Sequence, residues 1–248
     1  MIDNYTVIIP ARYASTRLPG KVLLDIAGKP IIQHVYDTAC TSHAGQVLIA
    51  TDDQRIADTA QSFGADVIMT SANHTSGTDR LAEVITLTAE PDESIIVNLQ
   101  GDEIGMPPEL IDQVADILVR NNDGKMATLC EVIDNENDIN DPNVVKVVFD
   151  KNNVAMYFSR LAIPWHQSIK TKEYFRHIGI YAYRAGFLKQ FSQSRPCVLE
   201  EKESLEQLRV LYNGEKIHIE EAIAPSGIGV DTEVDLMRAR KLFGDLTS

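Results

Sequence analysis

Three cations lie close together near the start of the chain, in Pro10-Ala11-Arg12-Tyr13-Ala14-Ser15-Thr16-Arg17-Leu18-Pro19-Gly20-Lys21. Small residues let backbone N–H groups approach phosphate oxygens. The guanidinium forks of Arg12 and Arg17 and the ammonium of Lys21 offset the charge that gathers as a phosphoryl bond breaks. The stretch holds no acid; the nearest carboxylates in sequence are Asp3 and Asp25. Two further stretches carry acids suited to a divalent ion. Asp102 follows Asn98-Leu99-Gln100-Gly101, and Asp231 follows Ile228-Gly229-Val230. A carboxylate at either place could hold Mg²⁺ against a triphosphate, or could simply cap a turn or helix. Ser76-Gly77-Thr78-Asp79-Arg80 offers hydroxyls and an approachable backbone for a nucleobase or ribose, and reads equally well as a helix cap.

These residues need a frame, and the apolar pattern supplies one. Val7-Ile8-Ile9 reads as a strand running into the cationic loop, Val47–Ala50 and Asp66–Met69 as two more, and Ile95–Leu99 as a buried central strand that delivers Asp102. Helical patterns run from Pro30 to about Thr41, from Asp52-Asp53 onward, from Ser76 onward and after Pro107-Pro108, where proline suits a first turn. This βαβα order predicts an α/β fold with a mainly parallel sheet and helices on both faces. Ligands then bind beyond the carboxyl ends of the strands, so Asp102 and the cationic loop should share a crevice. Beyond about residue 125 the texture changes. A hairpin is expected from Val144–Phe149 and Ala155–Phe158, a strand at Ile178–Tyr183, and helices at Leu199–Tyr212 and Thr232–Phe243. The expected division is an α/β region at 1–125 that carries the phosphate-binding motifs and a smaller mixed substrate lobe at 126–248, completing one compact fold.

Composition narrows the function. A chain of 248 residues with 44% hydrophobic content can bury a sizeable core, and a net charge of -13 argues against a broad nucleic-acid surface. A small phosphorylated substrate on a local cationic loop fits better. No opening signal pattern and no bilayer-length apolar run are present, so a cytoplasmic protein without membrane partners is expected. Cys40, Cys130 and Cys197 are too scattered for a zinc or redox motif and read as reduced and structural.

Taken in order, these motifs resemble the 3-deoxy-manno-octulosonate (KDO) cytidylyltransferases, over nearly the whole chain. Beyond the first loop and Asn98–Glu103, the resemblance rests on Ala50-Thr51-Asp52 and His74–Glu83. In the second half it rests on Asn143–Val148, Tyr157–Pro164, His177–Arg184, Leu205–Arg209 and Gly229–Thr232. It implies a Rossmann-like nucleotidyltransferase sheet, a homodimer, and activation of KDO by CTP for lipopolysaccharide biosynthesis. Arg12, Arg17 and Lys21 match the triphosphate contacts, and Ser76, Gly77, Thr78 and Arg80 fall in the cytidine-recognition region. Asp102 and Asp231 match the magnesium carboxylates. Gln100, Arg160, His177, Tyr181, Glu206 and Gln207 match the sugar-acid pocket, with Arg160 chemically suited to a carboxylate substrate. The implied reaction is attack of the sugar's anomeric hydroxyl on the α-phosphorus of CTP, with pyrophosphate leaving.

Two places depart from the family pattern. Ile104-Gly105-Met106 replaces the usual proline and large apolar residue after Glu103, and the loop between Trp165 and His177 is short. With Glu131 as an additional acid, these departures raise the expectation of an altered sugar, such as the 8-amino derivative 8-amino-3,8-dideoxy-manno-octulosonate. Another nonulosonic or octulosonic acid, and a CTP-binding regulatory protein without catalysis, are the alternatives.

Overall fold

The computed structural model describes residues 5–15, 18–165 and 174–245. Its main sheet holds nine described strands. From one edge the path runs Ala155–Ser159, Lys146–Phe149, Phe175–Arg184, Ile95–Asn98, Tyr5–Ala11, Gln46–Thr51 and Asp66–Met69. Met126–Val132 pairs with Phe175–Arg184 and Ile217–Glu221 pairs with Met126–Val132. The four strands at the nucleotide side, Ile95–Asn98 through Asp66–Met69, are mutually parallel. Phe175–Arg184 joins them antiparallel, with Tyr181 opposite Asn98, so the sheet runs unbroken from the first half of the chain into the second.

Alternation along the first strand explains the two cores. Val7, Ile9 and Ala11 point to one face, where they meet Val97 of the neighbouring strand and Ile32, Val35, Ile56 and Leu110 from the helices Ile31–Ala39, Gln54–Ser62 and Pro108–Arg120. Ile8 points to the other, with Leu48, Ile96 and the helices Gly77–Leu87 and Ala185–Ser192. These isoleucines and valines are fully buried, each worth about 1.5–3 kcal/mol relative to exposure. With both faces of the inner strands covered, Val7–Ile9 and Ile95–Val97 read as continuous apolar runs.

The local start signals are used as written. Asp53 accepts from the Arg55 N–H at 3.0 Å, Ser76 accepts from the Asp79 N–H at 3.1 Å, and Pro108 opens its helix. The hairpin closes through Asp150, which accepts from the N–H groups of Asn152 and Val154. One expectation is corrected: the single helix over Leu199–Tyr212 is two, Val198–Glu203 and Leu208–Tyr212. Ser204 between them is left-handed at φ 51°, and the break lets Leu205 bury.

Candidate active site

The cationic loop is closed by its own backbone. Gly20 N–H donates to the Tyr13 carbonyl at 2.9 Å, with Gly20 at φ 67°, and a Cβ there would sit 2.8 Å from the Tyr13 ring. Tyr13 is pinned from above by Arg55, whose guanidinium carbon lies 3.3 Å from the ring centre and whose nitrogens reach Asp53 at 2.9 and 2.6 Å. Arg12 and Ser15 line the resulting cleft beside Lys21. Arg17 lies outside the described residues. Across the cleft, Gly101 lets the end of the central strand approach the first: a Cβ on it would meet the Pro10 carbonyl at 2.9 Å.

This close approach brings both acids to one point. Lys21 Nζ contacts Asp102 Oδ2, and donates to Asp231 Oδ1 at 2.6 Å. Burial alone would lower the Lys21 pKa, but the two carboxylates outweigh it and raise it. The loops are also tied together directly, Val230 N–H donating to the Asp102 carbonyl at 3.0 Å. Thr232 Oγ1 and Asp235 bond reciprocally at the start of the helix Glu233–Asp245, and the Asp231 carboxylate contacts Lys21.

Ser76, Gly77, Arg80 and Gln100 line the same cleft. Arg80 is 3% exposed, its guanidinium donating to Thr70 Oγ1 and lying 3.3 Å from Asp52. Thr78 points the other way and donates to Glu206 Oε2 at 2.5 Å. Burial raises the Glu206 pKa, countered in part by the hydroxyls of Thr78 and Ser76. Glu206 thereby joins the start of the Gly77–Leu87 helix to the second half.

The other sugar-side residues divide. His177 packs 5.0 Å from Phe158 and 5.2 Å from Tyr181, with Nε2 3.0 Å from Thr128 Oγ1; burial pushes its pKa down to about 3, so the ring is neutral. Burial likewise raises the Tyr181 phenol, with Tyr183 and Glu206 adding to it. Gln207 is 5% exposed, and its Nε2 finds no hydrogen-bond partner among the described residues. Arg160 is not brought to the cleft. Its guanidinium donates to the carbonyls of Glu203 at 2.6 Å, Pro142 at 2.8 Å and Ser204 at 3.3 Å, holding the chain at the break between the two short helices.

Two groups escaped the sequence reading. Glu103 is half-buried beside Asp102, and desolvation together with the charges of Asp102 and Asp231 pushes its carboxyl up to about 7. His74 lines the cleft. Both stood inside quoted motifs, but only packing distinguishes them from surface residues. The departures that hinted at an altered sugar turn away from the cleft. Ile104 packs with Leu18, Ile26 and Val230, and Met106 is 1% exposed in the core. Glu131 already has partners: Arg176, and Ser226 Oγ at 3.1 Å. Residues 166–173 of the short loop lie outside the described residues.

Parallel strands that carry a cationic loop and Asp102 to one rim, where Asp231 joins them from the antiparallel Ile228–Gly229 pair, beside a cleft lined by a helix start, define a nucleotidyltransferase. The cytidylyltransferase family profile matches residues 6–217, and the chain belongs to that family. It is 53% identical to the 3-deoxy-manno-octulosonate cytidylyltransferases of Idiomarina loihiensis, over 98% of this chain and 99% of that one, and of Haemophilus influenzae, over 97% and 98%. A solved structure of CMP:2-keto-3-deoxy-manno-octonic acid synthetase complexed with CTP matches at TM-score 0.92 and 42% identity, covering 98% of this chain and 99% of that one.

Proposed function

We propose that this enzyme transfers the cytidylyl group of CTP to KDO, forming the CMP-sugar and releasing pyrophosphate. The observation that carries this reading is the meeting of Lys21 with Asp102 and Asp231 at the rim of the nucleotide cleft. A sugar hydroxyl is a weak nucleophile and an anionic sugar acid is repelled by a triphosphate, so the protein's work is positioning and charge neutralisation. Arg12 and Lys21 lie where they can stabilise the triphosphate and the departing pyrophosphate. The anomeric oxygen bonds to the α-phosphorus as the bond to the β-phosphate breaks, and the hydroxyl proton passes to solvent.

The residues present fit Mg²⁺. Two carboxylates already converge on a positive charge, and Mg²⁺ is ordinarily held by one or two carboxylates together with substrate phosphates rather than by an all-protein cage. Among the described residues no group of three or more His, Cys, Asp or Glu side chains forms such a cage. Asp102 and Asp231 would hold the ion, which supplies phosphate charge neutralisation and lowers the pKa of the attacking hydroxyl when bound. Glu103, beside Asp102, adds negative charge to the same corner when ionised.

KDO itself is supported by the names of relatives matching over nearly their full length. The 8-amino derivative is not favoured, since Glu131 is neutralised by Arg176 and the Ile104–Met106 turn faces the core. A regulatory protein without catalysis is not favoured either, because a binding module has no need of paired metal acids. A homodimer in the cytoplasm serving lipopolysaccharide synthesis belongs to the same reading. No helix among the described residues is long and apolar enough to cross a membrane. Incubation with CTP, Mg²⁺ and KDO should yield CMP-KDO and pyrophosphate in equal amounts. Absence of both with KDO, or turnover only with another sugar acid, would overturn the assignment.

A further inference from the structure

The nucleotide cleft is lined by Arg12 and Lys21 together with His74, Thr75, Ser76, Gly77 and Arg80. With Arg12 and Lys21 taken by the triphosphate, the base is left to the segment His74–Arg80. His74 is not left to rotate. Its Nε2 lies 2.5 Å from Glu83 Oε2, and the same oxygen accepts the Ser71 N–H at 2.8 Å, so the carboxylate is fixed to the backbone of the preceding loop. Burial would raise the Glu83 pKa, but the Ser71 N–H, His74 and Arg80 hold it below the usual carboxylate range. An ionised carboxylate only accepts, so Nε2 carries a proton, and the uncharged form of the ring then has its lone pair on Nδ1.

That lone pair matters because pyrimidines differ at one edge. Cytosine presents an exocyclic amine, a donor, where uracil presents a carbonyl, an acceptor. Arg80 has donors only and cannot receive the amine. We propose that His74, oriented by Glu83, selects the base: its Nδ1 accepts an N–H of the cytosine amine, making His74 a specificity-determining residue and Glu83 its positioning residue. This rests on the CTP reading and deepens it. Glu83 acts as an electrostatic template rather than as a contact, since removing its charge would free the ring to take the opposite tautomer.

The test compares kcat/KM for CTP, UTP and the triphosphate of 2-pyrimidinone riboside, which lacks the amine, in the wild-type enzyme, His74→Phe and Glu83→Gln. Wild-type turnover of CTP by itself checks the CTP reading, so the two can fail separately. The wild-type enzyme should prefer CTP over the amine-free analogue by about tenfold or more. In His74→Phe that ratio should fall toward one, because neither nucleotide then has an acceptor at this position. In Glu83→Gln the amide can donate to Nε2 and leave the proton on Nδ1, so the CTP to UTP ratio should drop with thermal stability little changed. A wild-type ratio near one overturns the proposal. So does an equal loss with both nucleotides in His74→Phe, which would mark a structural role. If His74→Phe fails to fold, an unchanged CTP to UTP ratio in Glu83→Gln overturns it alone.

Discussion

Asp102 and Asp231 come from distant parts of the chain yet share one ammonium, and the consequences can be read at single residues. Asp102→Asn and Asp231→Asn should each cut pyrophosphate release by about a hundredfold or more, because a neutral amide binds Mg²⁺ poorly, while the thermal midpoint stays close to wild type. Near-normal turnover in either variant would remove that residue from the chemistry. Lys21→Ala should lower kcat more than it raises KM for the sugar acid; an unchanged kcat would place the charge elsewhere. His177 makes a second kind of statement. Its folded pKa, about 3, lies below the ordinary histidine value, so between roughly pH 6.5 and 3 the unfolded chain binds a proton that the native ring refuses. Its contribution to stability is therefore intact above pH 6.5 and is lost as pH falls through that window. Denaturant titrations should show a shallower acid decline for His177→Phe than for the wild type, and parallel curves would show that the ring titrates normally.

At the scale of elements, the site depends on where strands stop and how loops fold back. The first strand ends at Ala11 and the central strand at Asn98, and both loops then turn over the same sheet edge because Gly20 and Gly101 permit contacts that a side chain would block. The pair of short helices at Val198–Glu203 and Leu208–Tyr212 is a different case. There Arg160 holds the break by donating to three carbonyls, work that a carboxylate-binding role would have to interrupt. Arg160→Ala should therefore cost about 1–3 kcal/mol in unfolding free energy and leave KM for the sugar acid within a few-fold. A large rise in KM at unchanged stability would return Arg160 to the sugar pocket. The four parallel strands, the hairpin and most helices were legible in the sequence, since apolar period and cap residues are local properties, whereas the helix Ala185–Ser192 was not read. The break at Ser204 was not, because apolar residues continue at helical spacing through it and only the need to bury Leu205 decides the matter.

For the whole molecule, the main sheet is continuous, with Phe175–Arg184 covering the inner edge of Ile95–Asn98. A fragment of residues 1–125 keeps the nucleotide motifs but exposes that edge and the apolar face around Ile8 and Ile96, which the helix Ala185–Ser192 covers in the full chain. It should lack a cooperative thermal transition by circular dichroism, and a sharp transition near that of the full chain would show that the halves fold independently. By itself the sequence determined the α/β order of the first half, the cationic loop, the two candidate acids and the helix start at Ser76. Each of these is written in residue types a few positions apart. Only the tertiary structure decided that Asp102 and Asp231 meet at Lys21, that Arg160 serves the backbone, that the Ile104–Met106 turn faces the core, and that Glu83 sets the ring of His74. The physical reason is that charge and hydrogen-bond roles depend on neighbours brought together across the sheet. A carboxylate one or two residues after a glycine caps, binds metal or faces water according to what the rest of the chain places within about 3 Å of it.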